Sequence, residues 1–301
     1  IVEEVAQRDA RVSLQRYSRR GKANVINAVH QTITEKGISA DTVFILTDAY
    51  AIFEENTLFE MVKHFKDTSI GIVGANYINT NVQSGGISLQ EKAYIQRENL
   101  MKYRESVVFG SMMGVYGACY AVRGVDFPMF PNTILMEDFY VTMLQLSRHK
   151  KAILTLDSRF YENIPNSIQI EFRRKKRISA GNFQNLFHFP ELLSPAYGGA
   201  SIAYWSHKVL RWLGPFFIIG SYVLIAVLAT TGHPLFVGLA GIHALVALVP
   251  VADYFLKRIG IENKLLRFIT YFLSMNVAIL AGLKWYLQGI ESNVWQPTNR
   301  N

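Results

Sequence analysis

The sequence predicts an α/β domain built on a layered sheet, followed by an all-α membrane region. Three observations carry this. Through residues 1–200, short apolar β-branched runs alternate with segments of helical spacing, and charge and Gly are mixed among them. The composition then shifts. Residues 212–287 are dominated by Leu, Ile, Val, Ala, Gly and Phe, in stretches near the ~20 residues that a bilayer core requires.

The elements follow in order. Residues 21–36 place Val25, Ile26, Val29 and Ile33 at helical intervals. Residues 42–46 form a buried strand that ends at Thr47-Asp48, and residues 56–66 return to helical spacing through Leu58, Met61, Val62 and Phe65. Ile70-Gly-Ile-Val73 is a second strand. Strand, helix and strand in short order predict a parallel-type sheet with crossover helices. Residues 87–108 are helical, and the Gly-punctuated stretch 110–123 ends in the strand-like run 118–122. Residues 137–147 are helical again, and 151–156 form another strand. Residues 172–190 make a basic helix with Phe172, Ser179, Phe183, Leu186 and Phe187 on one face, suited to lying in a membrane interface. The predicted division is a sheet domain over 1–171, an interfacial segment over 172–204 and a transmembrane region over 205–301.

Three spans are expected, at 212–229, 235–252 and 268–287. The connection 230–234 carries no Lys or Arg, whereas 253–267 carries Lys257, Arg258, Lys264 and Arg267. The positive-inside rule then places the sheet domain and the 253–267 loop in the cytoplasm, with the chain integral to a membrane. Strict alternation sends the tail at Trp295 outside. Asn276 and Lys284 in the third span fit a re-entrant or bundled helix instead, which leaves that side open. The sequence starts at Ile1 without an initiator Met and reads as a fragment or a processed product.

The net charge is +8 over 301 residues, and its basic clusters flank the apolar segments, which fits an anionic membrane surface. No nucleic-acid module carries an interleaved basic and aromatic pattern, so nucleic acid is not an expected partner. The single Cys119 excludes an intrachain disulfide. The seven His lack metal-ligand spacing. Neither a phosphate loop nor a dinucleotide fingerprint nor a nucleophile elbow is present.

Four features carry chemistry, each with a plainer alternative. Asp48 at the end of a buried strand can hold a divalent cation or a sugar hydroxyl, or can cap a following helix. Glu137-Asp138 opens a helix whose dipole accounts for two carboxylates, and either can serve as a base. The run Arg173-Arg174-Lys175-Lys176-Arg177 suits a membrane-facing surface or a diphosphate. Lys22 after Gly21 is a solvated helix start or a donor contact.

The order of the blocks is more specific than any one of them. Arg20-Gly-Lys-Ala-Asn24, Leu46-Thr-Asp-Ala49, Tyr116-Gly-Ala-Cys-Tyr-Ala-Val-Arg123, Met136-Glu-Asp-Phe139, the stretch from Phe172 to Asn182, Trp205 to Trp212, and the tail Trp295-Gln-Pro-Thr-Asn-Arg300 occur in succession. Together they resemble the membrane-associated family-2 glycosyltransferases, relatives of cellulose, hyaluronan and poly-N-acetylglucosamine synthases. The resemblance implies a GT-A-like fold, a nucleotide-sugar donor (a UDP-sugar favoured) with Mg²⁺ or Mn²⁺, and inversion at the anomeric carbon. It implies a glycan or lipid-linked acceptor, contact with membrane lipids, and a role in polysaccharide biosynthesis at the cytoplasmic face of a bacterial inner membrane. By that likeness Asp138 is the general base beside Glu137. Asp48 engages donor and metal, Arg174 and Arg177 lie near the donor diphosphate, and Lys22 is a donor-proximal cation. Position 50 is Tyr where the second metal-motif Asp stands in the family. Position 178 is Ile where processive synthases carry a stacking Trp, which favours transfer of one or few sugars. The N-terminal strands that hold the nucleotide base are missing, which predicts weak donor binding. Two alternatives stay open: a processive synthase, or a non-catalytic membrane subunit whose support is Tyr50 and Ile178. A small transporter would need more polar residues in the spans.

Overall fold

The computed structural model describes residues 1–80, 88–163, 167–261 and 263–294. A short helix α1 (Val2–Arg8) precedes α2 (Lys22–Thr34), and five strands follow: β1 (Val43–Thr47), β2 (Ile52–Phe53), β3 (Ile70–Thr80), β4 (Cys119–Arg123) and β5 (Lys151–Asn163). Their order across the sheet is β1-β4-β3-β5-β2. Between them lie α3 (Thr57–Val62), α4 (Ser88–Phe109) and α5 (Glu137–Ser147). The last of these matches the predicted helix residue for residue.

The sheet is mixed, which corrects the parallel-type expectation. β3 and β5 pair parallel, but β4 runs antiparallel to both β1 and β3, and β2 runs antiparallel to β5. An apolar run buried on both faces reads the same in either direction, so composition does not encode strand polarity. The pleat divides the core into two clusters. Ile72, Tyr120 and Val122 pack with Phe139, Val141 and Met143 on one face. Val73, Cys119 and Ala121 pack with Met61, Phe65 and Phe160 on the other. Successive residues of β3 and β4 thus serve opposite layers, as the period-2 geometry of a strand requires.

The predicted basic helix is α6 (Ile168–His188). It buries Ser179 and Phe183 against protein, while Phe187 of the same predicted face stays exposed. It packs along α10 (Lys264–Leu287), where Gly282 meets it. A Cβ on Gly282 would stand 2.6 Å from the Lys176 carbonyl oxygen and 2.5 Å from Ser179 Cβ, so only glycine allows this approach. Ser179 Oγ donates to the Ile279 carbonyl at 2.9 Å, and Phe187 stacks on Tyr286 at 5.4 Å between centroids. The inner members of the basic run accordingly face protein. Arg174 pairs with buried Glu171 at 3.3 Å, and Lys175 lies 3.4 Å from Glu171 and 3.8 Å from buried Glu91. Only Arg173 of the run is exposed. Charge runs look alike on solvated and paired faces until the acidic partners on other elements are placed.

After α7 (Gly199–Ala203) and a π-helical turn (Tyr204–Val209) come α8 (Leu210–Ala229) and α9 (Pro234–Arg258), then α10. Three helices, Gly199–Ala229, Pro234–Arg258 and Lys264–Leu287, are long and apolar enough to cross a membrane. α8 and α9 leave Phe217, Val223, Val227, Leu245 and Leu248 exposed, an apolar surface that suits lipid. Two boundary expectations shift. The connection from α9 to α10 is short, and Arg267 is inside α10, where it turns inward to Asp253 of α9 at 3.1 Å. Beyond α10 the chain returns to the sheet domain, and Asn293 seats its side chain against Gly21. The tail block from Trp295 lies outside the described residues.

Candidate functional site

Three chain segments meet at one ammonium. β1 ends at Thr47, and the Asp48 N–H donates to the Ala118 carbonyl at 3.1 Å, so the carboxylate is held beside the start of β4. α2 begins at Lys22 after Gly21, whose φ of 86° is a left-handed value that glycine tolerates. A Cβ at Gly21 would also fall 1.9 Å from Asn293 Oδ1. From this start, Lys22 Nζ reaches Asp48 Oδ1 at 3.0 Å, Glu137 Oε1 at 2.9 Å and the Gly117 carbonyl at 3.1 Å. Burial works against this charge, but Glu137 and Asp48 outweigh it and hold Lys22 above the usual lysine range. The helix-cap alternative for Asp48 does not hold: β2 follows it, and α3 starts only at Thr57 with Asn56 at its cap position.

Glu137 and Asp138 occupy the first turn of α5 and part there in role. Glu137 turns to Lys22. Asp138 Oδ1 accepts the Phe139 N–H at 2.8 Å, an ordinary first-turn interaction. Among the described residues, no cation stands within ion-pair distance of Asp138. Burial, and then the neighbouring Glu137 carboxylate, raise its pKa from 3.8 to about 6, with Lys22 and the Phe139 N–H acting the other way. The helix dipole that would favour two ionised carboxylates is therefore overridden for one of them. The result is a carboxylate poised near neutrality, which suits proton abstraction.

Gly117 sets the clearance. A Cβ there would approach Asp138 Oδ2 at 2.9 Å. Gly117→Ala is expected to push the carboxylate aside and, in the reaction proposed below, to lower kcat/KM by about tenfold to a hundredfold with donor KM unchanged. Steady-state kinetics on the two substrates check this, and a normal kcat/KM would remove Asp138 from the site.

The cations of α6 close the other side. Arg177 Nη1 donates to the Leu135 carbonyl at 3.2 Å. Burial draws its pKa down, while Glu137 and Asp138 oppose that. Arg174 is held above its usual range chiefly by Glu171. All six residues singled out in the sequence, Lys22, Asp48, Glu137, Asp138, Arg174 and Arg177, line one cavity of about 1170 Å³. Tyr50 and Ile178 line it too. So do residues with no sequence signal of their own, including Lys102, Gly117 and Asn293. Gly117 lies inside a quoted block but looks like loop punctuation. Lys102 reads as a solvated helix position until α4 is seen packed on the π-helical turn.

The metal expectation meets a sparse donor set. Among the described residues, no three His, Cys, Asp or Glu side chains come together to hold an ion, and Asp48 is already paired with Lys22. A single carboxylate fits a divalent ion only where diphosphate oxygens and water complete the shell, as is usual for Mg²⁺.

No family model matches the chain, and no curated protein does. The fold has a solved counterpart. A mannosyltransferase from Pyrobaculum calidifontis, solved in complex with GDP-Man and Mn²⁺, superposes with a TM-score of 0.61 at 17% identity, over 95% of this chain and 73% of that one. The sheet domain with its trailing apolar helices is therefore a glycosyltransferase-type fold.

Proposed function

We propose that this chain is an inverting glycosyltransferase that moves a sugar from a nucleotide-sugar donor to a glycan or lipid-linked acceptor at the cytoplasmic face of a membrane. The observation that carries this reading is Asp138: a carboxylate that no cation among the described residues pairs with, raised to about 6, in a cavity that Lys22, Arg174 and Arg177 also line. Asp138 takes the proton of the acceptor hydroxyl as that oxygen bonds to the anomeric carbon, and the bond from that carbon to the diphosphate breaks on the opposite face. Lys22, Arg174 and Arg177 neutralise the diphosphate as it leaves. A Mg²⁺ or Mn²⁺ held by Asp48 and the diphosphate supplies further charge neutralisation when bound.

The likeness to a GDP-Man-bound enzyme supports a nucleotide-sugar donor and leaves UDP- and GDP-sugars both in contention. α8 and α9 anchor the domain in this reading, and the packing of Gly282 of α10 against α6, with Asn293 returning to Gly21, supports a third helix bundled with the sheet domain. Synthesis of surface or exported polysaccharide is the setting this arrangement favours. Ile178 in the cavity favours transfer of one or few sugars over processive polymerisation. Tyr50, and the capture of Asp48 by Lys22, support a second reading, a non-catalytic membrane subunit.

The deciding experiment is a screen of UDP-, GDP- and dTDP-sugars with the full-length protein in nanodiscs, with product anomer read by NMR and product length by chromatography. Turnover of one nucleotide class to an inverted product is expected. A retained anomer, or no turnover of any donor with divalent metal present, would refute the assignment, and long polymer from one engagement would establish the processive alternative.

A further inference from the structure

Sugar transfer leaves one buried polar cluster unused, between α4 and the π-helical turn. His207 of that turn is 2% exposed and stands between two carboxylates of α4. Its Nε2 lies 2.9 Å from Glu98 Oε1, and its Nδ1 lies 2.6 Å from Glu105 Oε1. The two carboxylates differ in what else they hold. Glu98 is also bound by Lys208 at 2.8 Å and by Arg211 at 3.1 Å, so it keeps two cations if the imidazole is lost. Glu105 uses its other oxygen, Oε2, to accept the Met113 N–H at 3.1 Å. A residue needed only to join α4 to the turn is redundant beside Lys208 and Arg211. What His207 adds is its hold on Glu105.

From Met113 the contacts lead to the base. Met112 is still tied to β5, donating to the Ala152 carbonyl at 2.8 Å. Beyond it, residues 113–117 belong to neither strand nor helix, so a few bonds fix their place. At one end is the Glu105 carboxylate, and without it the buried Met113 N–H loses its acceptor. Two residues on, the Val115 N–H donates to Thr142 Oγ1 at 3.2 Å, and that hydroxyl donates to the Asp138 carbonyl at 2.8 Å. At the other end the Gly117 carbonyl accepts from Lys22 at 3.1 Å, and a Cβ there would stand 2.9 Å from Asp138 Oδ2. The loop thus runs from a carboxylate gripped by His207 to the backbone that faces the carboxylate of Asp138.

We propose that His207 is a positioning residue for Asp138: by fixing Glu105 on the Met113 N–H it seats the 113–117 loop, and with it Gly117, against the base. This rests on the sugar-transfer reading of the cavity. It adds that the start of the long apolar helix Gly199–Ala229 sets the geometry of a group in the sheet domain.

The test exploits the two ring nitrogens. His207→Asn retains an amide donor where Nδ1 meets Glu105, and His207→Gln retains one where Nε2 meets Glu98. Both variants are made in the full-length protein in nanodiscs, and turnover is measured together with amide hydrogen exchange over residues 113–117. His207→Gln is expected to lower kcat by about tenfold to a hundredfold with donor KM within about threefold, and to speed exchange in the loop by about tenfold or more. His207→Asn is expected to stay within about threefold of wild type in both. Equal losses in the two variants, or wild-type kcat in a folded His207→Gln, overturn the proposal and leave His207 a staple between α4 and the turn. If either variant fails to fold, exchange in wild type decides. Protection of 113–117 close to that of α5 supports the seat, and exchange at the rate of an open loop overturns it. Failure of the transfer reading has a different signature: wild type turns over no donor, while the contrast in exchange between His207→Asn and His207→Gln persists.

Discussion

Asp138→Asn is expected to lower turnover by about 10²–10⁴-fold, the range that a positioned general base contributes, while leaving donor binding within about threefold. The substitution keeps size and shape, and the amide oxygen still accepts the Phe139 N–H. What it removes is a base that is ionised at neutral pH. The same change is expected to stabilise the fold. A carboxyl whose folded-state pKa is raised above its unfolded value contributes stability at low pH that is lost as pH rises through the folded value. For Asp138 that window runs from about 4 to about 6. Above it the ionised form costs on the order of 2–3 kcal/mol. Asn escapes that cost, so the thermal midpoint rises at about pH 7.5, and the gap from wild type closes below about pH 4. The wild-type kcat/KM profile is expected to rise through an acid limb with its inflection near pH 6. Glu137→Gln moves that inflection down, because it removes the neighbouring negative charge. Unchanged turnover in a folded Asp138→Asn protein would end the assignment of the base.

Lys22→Met is expected to weaken donor binding by about 10²-fold, since it deletes a cation assigned to the diphosphate and releases two carboxylates that then repel the donor. Asp48 and Glu137 lose their common partner, and the Gly117 carbonyl loses a donor. The side chain is about a third exposed, so solvent screens part of the loss, and the stability cost is put at about 1–2 kcal/mol. Lys22→Arg separates the two effects: it restores charge and stability, but a planar guanidinium does not satisfy three acceptors arranged around a point charge. Isothermal titration with the nucleotide diphosphate reads the affinity and thermal scans read the stability. Wild-type donor affinity in Lys22→Met would place the diphosphate elsewhere.

Several elements were legible in the residues because the signal is local. α5 begins at Glu137 and ends at Ser147 as the apolar spacing predicts, and α2, β1 and β4 fall within one or two residues of expectation. Others were not. β2 is two residues long, too short for an alternation to register. β3 continues to Thr80 beyond the apolar run 70–73, because its pairing with β5, not its composition, sustains it. The π-helical turn at Tyr204–Val209 has no sequence signature, yet it carries His207 and ends just before Leu210, bringing His207, Lys208 and Arg211 onto Glu98.

The feature that names the site shows the same division. By itself the sequence determined that Glu137 and Asp138 open a helix, that Asp48 ends a strand and that apolar helices follow. Helical period, strand alternation and span length are properties of neighbouring residues. Which carboxylate is paired and which is poised was decided only by the tertiary structure. That outcome depends on Lys22, 115 residues before Glu137, arriving within 2.9 Å of it, and on the space at Gly117 that admits Asp138. The inward turn of Arg174 and Lys175, and the seating of Lys102 over Tyr116, are long-range facts of the same kind. Charge in a folded protein is set by what the chain brings beside it, and sequence spacing alone does not carry that information.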